Sequence, residues 1–216
     1  MDRHQKVRLA LGWGVALVLL VGAVVYVWQP FATRRADRVA GGFLRAVFEG
    51  DGQRFYEFIH PLDQSALELT PEKCQRLLNE VVLPKFQGCK VVEWARPRMG
   101  GEGYGYAWVE LECGGKRSQF GMNAGEVTGV GGTVGLNLFL QFVWDWEFYH
   151  RYGRWSSGYL ESSIEGVKRD MEKLEAIGIK GWSVWKDKGY VLPWREWLAD
   201  AERRFKEQRE RSARVR

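Results

Sequence analysis

The chain of 216 residues has little from which to build a conventional catalyst. It carries three histidines, and His60 is the only one between the N-terminal apolar run and His150. A base role therefore falls on His60 or on a carboxylate. Neither Gly-x-Ser-x-Gly nor His-Glu-x-x-His occurs, and no two histidines stand at helical spacing, so the signatures of serine hydrolases and zinc proteases are missing. Gly129 to Gly135 has the look of a phosphate loop, but Val134 takes the last glycine position of Gly-x-Gly-x-x-Gly and no Gly-Lys-Ser/Thr follows. Three cysteines, Cys74, Cys89 and Cys113, match no zinc, haem or iron–sulfur spacing. They read as core thiols, with a Cys74–Cys89 disulfide the alternative in an oxidising compartment. Thirty-two basic residues against 27 acidic ones leave a net charge of +5, with the signs intermixed, which argues against a nucleic-acid partner. No metal or cofactor is expected.

What the chain does have is an apolar run from Leu9 to Trp28, twenty residues without a charge. As a helix it would span roughly 30 Å, the thickness of a bilayer's hydrocarbon core. No small-residue cleavage site follows, since Tyr26, Val27, Trp28, Gln29, Pro30 and Phe31 close the run. A retained anchor is therefore the reading taken over a cleaved signal or a buried core helix. Arg3, Lys6 and Arg8 before the run are balanced by Arg34, Arg35 and Arg38 after it, so positive-inside counting is close to a tie. A short tail before the span and a long domain after it favour the domain on the extracytoplasmic side of a cell membrane. A second uncharged stretch, Val127 to Trp144, holds Asn137, Gln141 and four glycines and inserts much less readily.

Behind the anchor the chain suffices for one domain. Ala36, Val39, Ala40, Phe43 and Val47 mark a helical face that ends at Gly50-Asp51-Gly52. Gln53 to Ile59 predicts a short helix, and Thr70-Pro71-Glu72 opens a third whose stripe is Cys74, Leu77, Leu78 and Val81. Lys90 to Trp94 and Tyr104 to Cys113 predict strands, and Gly114-Gly115 turns the second into Lys116 to Met122 as a hairpin. Leu136, Leu138, Leu140, Phe142, Trp144, Trp146 and Phe148 alternate with polar residues and predict a long bent strand ending near Tyr149. Leu160 to Ile177 predicts a helix capped by Gly178, Gly181 to Trp185 a strand, and Pro193 the start of a last helix carrying Trp194, Trp197, Leu198, Ala201 and Phe205. The basic end, Arg203 to Arg216, reads either as a solvated helix end or as a contact for anionic lipid or an acidic partner.

The stretch LRAVFEGDGQRFYEFI, followed by LTPEKCQRLLNEVVLPKFQG and then strands, resembles the opening of NTF2-like (cystatin-like) domains of membrane-anchored or exported bacterial proteins. That resemblance covers Ala36 to about Tyr149 and implies helices packed in the hollow of a curved antiparallel sheet. The expected fold is thus α+β: an N-terminal transmembrane helix, helices on a curved antiparallel β-sheet, and a C-terminal helical extension. The expected divisions are a basic tail at 1–8, an anchor at 9–29, the NTF2-like domain at 33–152 and the extension at 153–216. Members of the superfamily include enzymes and non-catalytic accessory modules, so the fold alone does not choose between them.

If the domain were enzymatic, the resemblance implies Asp, His or Tyr inside the cone, and the candidates are Tyr56, His60, Asp63 and Asp145. Tyr104 and Tyr106 on the sheet, with Trp182, Trp185, Trp194 and Trp197 near the C-terminus, are the candidates for ligand or partner contact. For His60 and Asp145 the plainer reading is a surface helix cap and a solvated acid; for the tryptophans it is an aromatic core. The leading expectation is a non-catalytic accessory or interaction subunit of a larger membrane assembly, in contact with the bilayer and a membrane protein partner. The alternatives are an NTF2-like ligand binder or enzyme with a pocket lined by Phe55, Tyr56, Tyr104 and Tyr106, and a structural adaptor.

Overall fold

The computed structural model describes residues 39, 41–94, 98–99, 105–124, 133–184 and 190–214. Four helical segments come first. Helix α1 (41–49) buries Phe43, Leu44, Ala46 and Val47. Asp51 caps α2 (Gly52–Phe58) by accepting from the Arg54 N–H at 3.0 Å. His60 caps α3 (Pro61–Ala66), and Thr70 caps α4 (Pro71–Leu77), each with proline in the first turn where its missing N–H costs nothing. Helix α4 loosens into a π turn (Leu78–Val82) and tightens into a 3₁₀ turn (Leu83–Phe86) that brings Lys85 and Phe86 inward. The Gln75 amide ties α4 to α2, donating to the Gly50 carbonyl at 2.8 Å and accepting from the Gly52 N–H at 2.9 Å.

Strands β1 (Cys89–Trp94), β2 (Arg98–Met99), β3 (Gly105–Cys113) and β4 (Lys116–Ala124) form an antiparallel sheet, with β1 and β2 on one side of β3 and β4 on the other. Gly114 and Gly115 both hold positive φ, +60° and +78°, the backbone that a two-residue hairpin turn demands. The cysteine pairing differs from the expected alternative. Cys89 and Cys113, opposite each other in the β1–β3 register, form the disulfide, whereas Cys74 is free and fully buried. Burial pushes the Cys74 thiol up to about 12, which leaves it inert.

The largest correction concerns residues 136–149. The predicted long strand is a helix, α5 (Leu136–Tyr152). Leu136, Phe139, Leu140, Val143, Trp144, Trp146 and Phe148 are all buried, because α5 lies between the sheet and the helices that follow. A helix buried on most sides is apolar on most sides, and alternation along it then imitates a strand. It stops at Gly153 in the left-handed conformation.

Helix α6 (Tyr159–Ile177) packs along α5, and the hairpin β5 (Gly181–Val184) and β6 (Tyr190–Pro193) leads into α7 (Trp194–Arg214). Strand β6 was not foreseen. Trp194, Trp197 and Ala201 join the same buried cluster as Phe43, Phe139 and Trp144. The last sixty residues therefore help build the core. The expected architecture is corrected accordingly: helices α1–α7 accompany two small antiparallel sheets, in place of one curved sheet with an appended extension. No helix among the described residues is long and apolar enough to cross a membrane, and the 9–29 run lies outside them.

The close approach of α5 and α6 is set by Gly166. A Cβ there would meet the Trp144 ring at 2.2 Å. Gly166→Ala should therefore lower stability by about 2 kcal/mol, as expected for overpacking a fixed contact. The check is a urea titration at constant slope, and an unchanged midpoint would mean that the helices sit farther apart.

Candidate functional site

His60 and Asp63 come together, as part of a structural tie. The Asp63 carboxylate, fully buried, accepts from the Leu136 N–H at 2.7 Å through Oδ2 and from the Ser183 hydroxyl through Oδ1. It thereby supplies the first turn of α5 with the cap that Gly135 lacks, and its charge faces the positive end of that helix. A parallel bridge between Ile59 and Val134 fixes the approach, with the His60 N–H donating to the Val134 carbonyl at 3.0 Å. Ser, His and Asp are thus neighbours, but the serine hydroxyl is engaged by the carboxylate and His60 Nδ1 accepts from the Leu62 N–H at 3.1 Å. A nucleophilic triad needs the hydroxyl on the imidazole instead. Burial lowers the His60 pKa, with the Asp63 charge partly opposing, so the imidazole is neutral at pH 7. His60 is a helix cap, in line with the plainer reading, but at 8% exposure it is buried and not at the surface.

A second buried polar group holds the helices together. Lys85 Nζ lies 2.7 Å from Asp170 and 2.8 Å from Glu147, and Arg169 pairs with Glu147 at 2.6 Å. The Trp144 indole N–H donates to Asp170 at 2.8 Å. Such a cluster is tolerated in the interior because each charge meets an opposite one at hydrogen-bond distance.

Of the C-terminal tryptophans, Trp194 and Trp197 are core and Trp182 packs against it. Trp194 is fully buried and donates to the Ile179 carbonyl at 2.7 Å, while Trp182 stacks on Trp197 at 4.6 Å. Trp185 and Tyr104 lie outside the described residues, and Tyr106 is described only as a strand residue of β3. Tyr56 is half-buried against the core. The expected pocket beside Phe55 is filled, since Phe55 packs against Phe43 at 5.1 Å and Phe139 at 5.4 Å. Among the described residues no group of three or more His, Cys, Asp or Glu is placed to hold a metal ion.

An open recess among the described residues lies elsewhere, between β4 and the C-terminal half of α5, with a volume of about 470 Å³. Trp146, Tyr149 and Trp155 form its aromatic wall; Glu110, Arg117, Ser118 and Gln119 form its polar wall. Glu110 and Gln119 are direct cross-strand partners, so they share a face of the hairpin. Trp155 stands on the 153–158 connection, is 54% exposed, and stacks on Tyr149 at 4.5 Å. That connection is pinned at several points. Ser156 donates to Asp145, the Ser157 N–H donates to Glu161 at 2.8 Å, and Arg154 pairs with Glu161 at 2.9 Å while lying 5.0 Å over the Phe148 ring. Asp145 therefore does not line the recess but pins the loop bearing Trp155. Sequence reasoning missed Trp155, although an aromatic residue among Gly, Arg and Ser between two helical patterns was a usable signal.

No protein-family model matches the chain, and neither a curated protein nor a solved structure matches it. The likeness to NTF2-like domains rests on the residue pattern alone.

Two outcomes are expected. Asp63→Ala strips α5 of its cap and leaves the Leu136 N–H buried and unpaired, at a cost of about 3 kcal/mol in a chemical unfolding titration; a loss within experimental error would contradict that role. Arg154, then Ser157, holds the Glu161 carboxyl at about 2 instead of its ordinary 4.5, against the opposing effect of burial. A depressed carboxyl contributes stability above pH 4.5 that is lost as the pH falls toward 2. The wild type should therefore lose more stability than Glu161→Gln across that window, and parallel acid titrations of the two would refute the assignment.

Proposed function

We propose that the chain is a single-pass membrane protein whose folded domain serves, on the extracytoplasmic side, as a non-catalytic accessory or interaction subunit of a larger membrane assembly. The observation that carries the reading is the pairing of a bilayer-length apolar run, Leu9 to Trp28, with a Cys89–Cys113 disulfide in the domain behind it. Disulfides persist in oxidising compartments, and a domain that follows such a run reaches one by crossing with its N-terminus held inside. The non-catalytic part of the reading is supported by how the buried ionisable groups are spent. Asp63 caps a helix, His60 caps another, and Lys85, Glu147 and Asp170 hold α5 and α6 to the 3₁₀ turn. Lipid bilayer and a membrane protein are the partners proposed; nucleic acid is not.

Membranes containing the full chain should keep it in the pellet after an alkaline carbonate wash. A membrane-impermeant maleimide applied to intact cells should label Cys89 and Cys113 only after reduction by a non-permeant phosphine. Purification in a mild detergent should bring down a membrane protein in fixed ratio. Release into the carbonate supernatant would refute the anchor, labelling only after lysis would refute the sidedness, and a solitary monomer would refute the subunit role.

A further inference from the structure

We infer that the recess between β4 and α5 is a binding site for a neutral carbohydrate chain. Its two walls supply the two kinds of contact that such a ligand takes. A sugar ring presents an apolar C–H face and a rim of hydroxyl groups, each of which donates and accepts. Tyr149 and Trp155 supply flat apolar surface over the buried Trp146, and the stacking of Trp155 on Tyr149 fixes its orientation while leaving Trp155 more than half exposed. On the other side of the recess, from the hairpin face away from buried Val109 and Phe120, the Gln119 amide and the Glu110 carboxylate offer planar arrays of donors and acceptors.

The polar wall carries no net charge to attract an ionic ligand. Glu110 and Arg117 lie 3.6 Å apart on it, so the two formal charges cancel locally. A neutral polyol, which both donates and accepts, can hydrogen-bond to either group.

The volume, about 470 Å³, falls within the range of small-molecule sites and suits a short oligosaccharide. The loop bearing Trp155 is held by Asp145, Glu161 and Phe148, so little ordering is needed when the ligand binds.

The test uses the full chain in a detergent without a sugar headgroup, since a maltoside would compete. Cellohexaose, chitohexaose and maltohexaose are each titrated while tryptophan fluorescence and ligand saturation-transfer NMR are followed. At least one should bind with a Kd on the order of 0.1–1 mM. Trp155→Ala, at an exposed position, should weaken that binding at least tenfold with an unchanged circular dichroism spectrum, and Gln119→Ala should weaken it severalfold. Absence of binding by all three at roughly 10 mM, or binding indifferent to Trp155→Ala and Gln119→Ala, would overturn the assignment. Neither result bears on the carbonate and labelling outcomes, which concern the anchor.

Discussion

Everything in the C-terminal half depends on how closely α5 and α6 approach. Trp144 lies flat on Gly166, where even a methyl group has no room, and its indole N–H reaches Asp170 one turn further along α6. Asp170 in turn meets Lys85, carried inward by the 3₁₀ turn that ends the α4 segment. One side chain thus joins three elements, and Trp194 and Trp182 pack against the same ring at 6.4 and 6.5 Å. Apolar burial supplies the driving force here, and the polar ties choose the register.

The fixed placement of α5 has a consequence for the surface. With its N-terminus held by Asp63 and its middle by Asp170, the helix presents Trp146 and Tyr149 toward the β3–β4 hairpin at a set angle. The loop after it folds back because Asp145 and Glu161 accept from its serines and Phe148 lies beneath its arginine. The recess is therefore assembled from rigid parts. Asp63, Asp145, Glu161 and Asp170 all serve position, each holding one element or loop against another.

Much of the local structure was legible in the sequence. Thr70-Pro71, Gly114-Gly115 and Gly178 each mark a boundary through backbone requirements that few residues meet, and the helices and hairpin stand where these predict. The stretch 136–149 was not legible from periodicity, because a helix enclosed on most sides shows apolar residues at every spacing. Its length and the Gly153 stop were the better guides. The pairing of Cys89 with Cys113 follows from the β1–β3 register, which no local pattern carries. Lys85 and Asp170 stand far apart in the chain, and nothing near either announces the other. Trp194 and Trp197 stand in the core, the plainer of the two readings given to the C-terminal tryptophans, whereas the recess required knowing that α5 is a helix and that its end turns back over the sheet.

A double-mutant cycle on Trp144 and Asp170 tests the central constraint most directly. Trp144→Phe removes the indole donor while leaving a ring against Gly166, and Asp170→Asn removes the charge. If the contact orders α5 against α6 as described, the two changes should couple by more than about 1 kcal/mol in equilibrium unfolding. Additivity to within roughly 0.3 kcal/mol would contradict it and would leave the recess wall without its support.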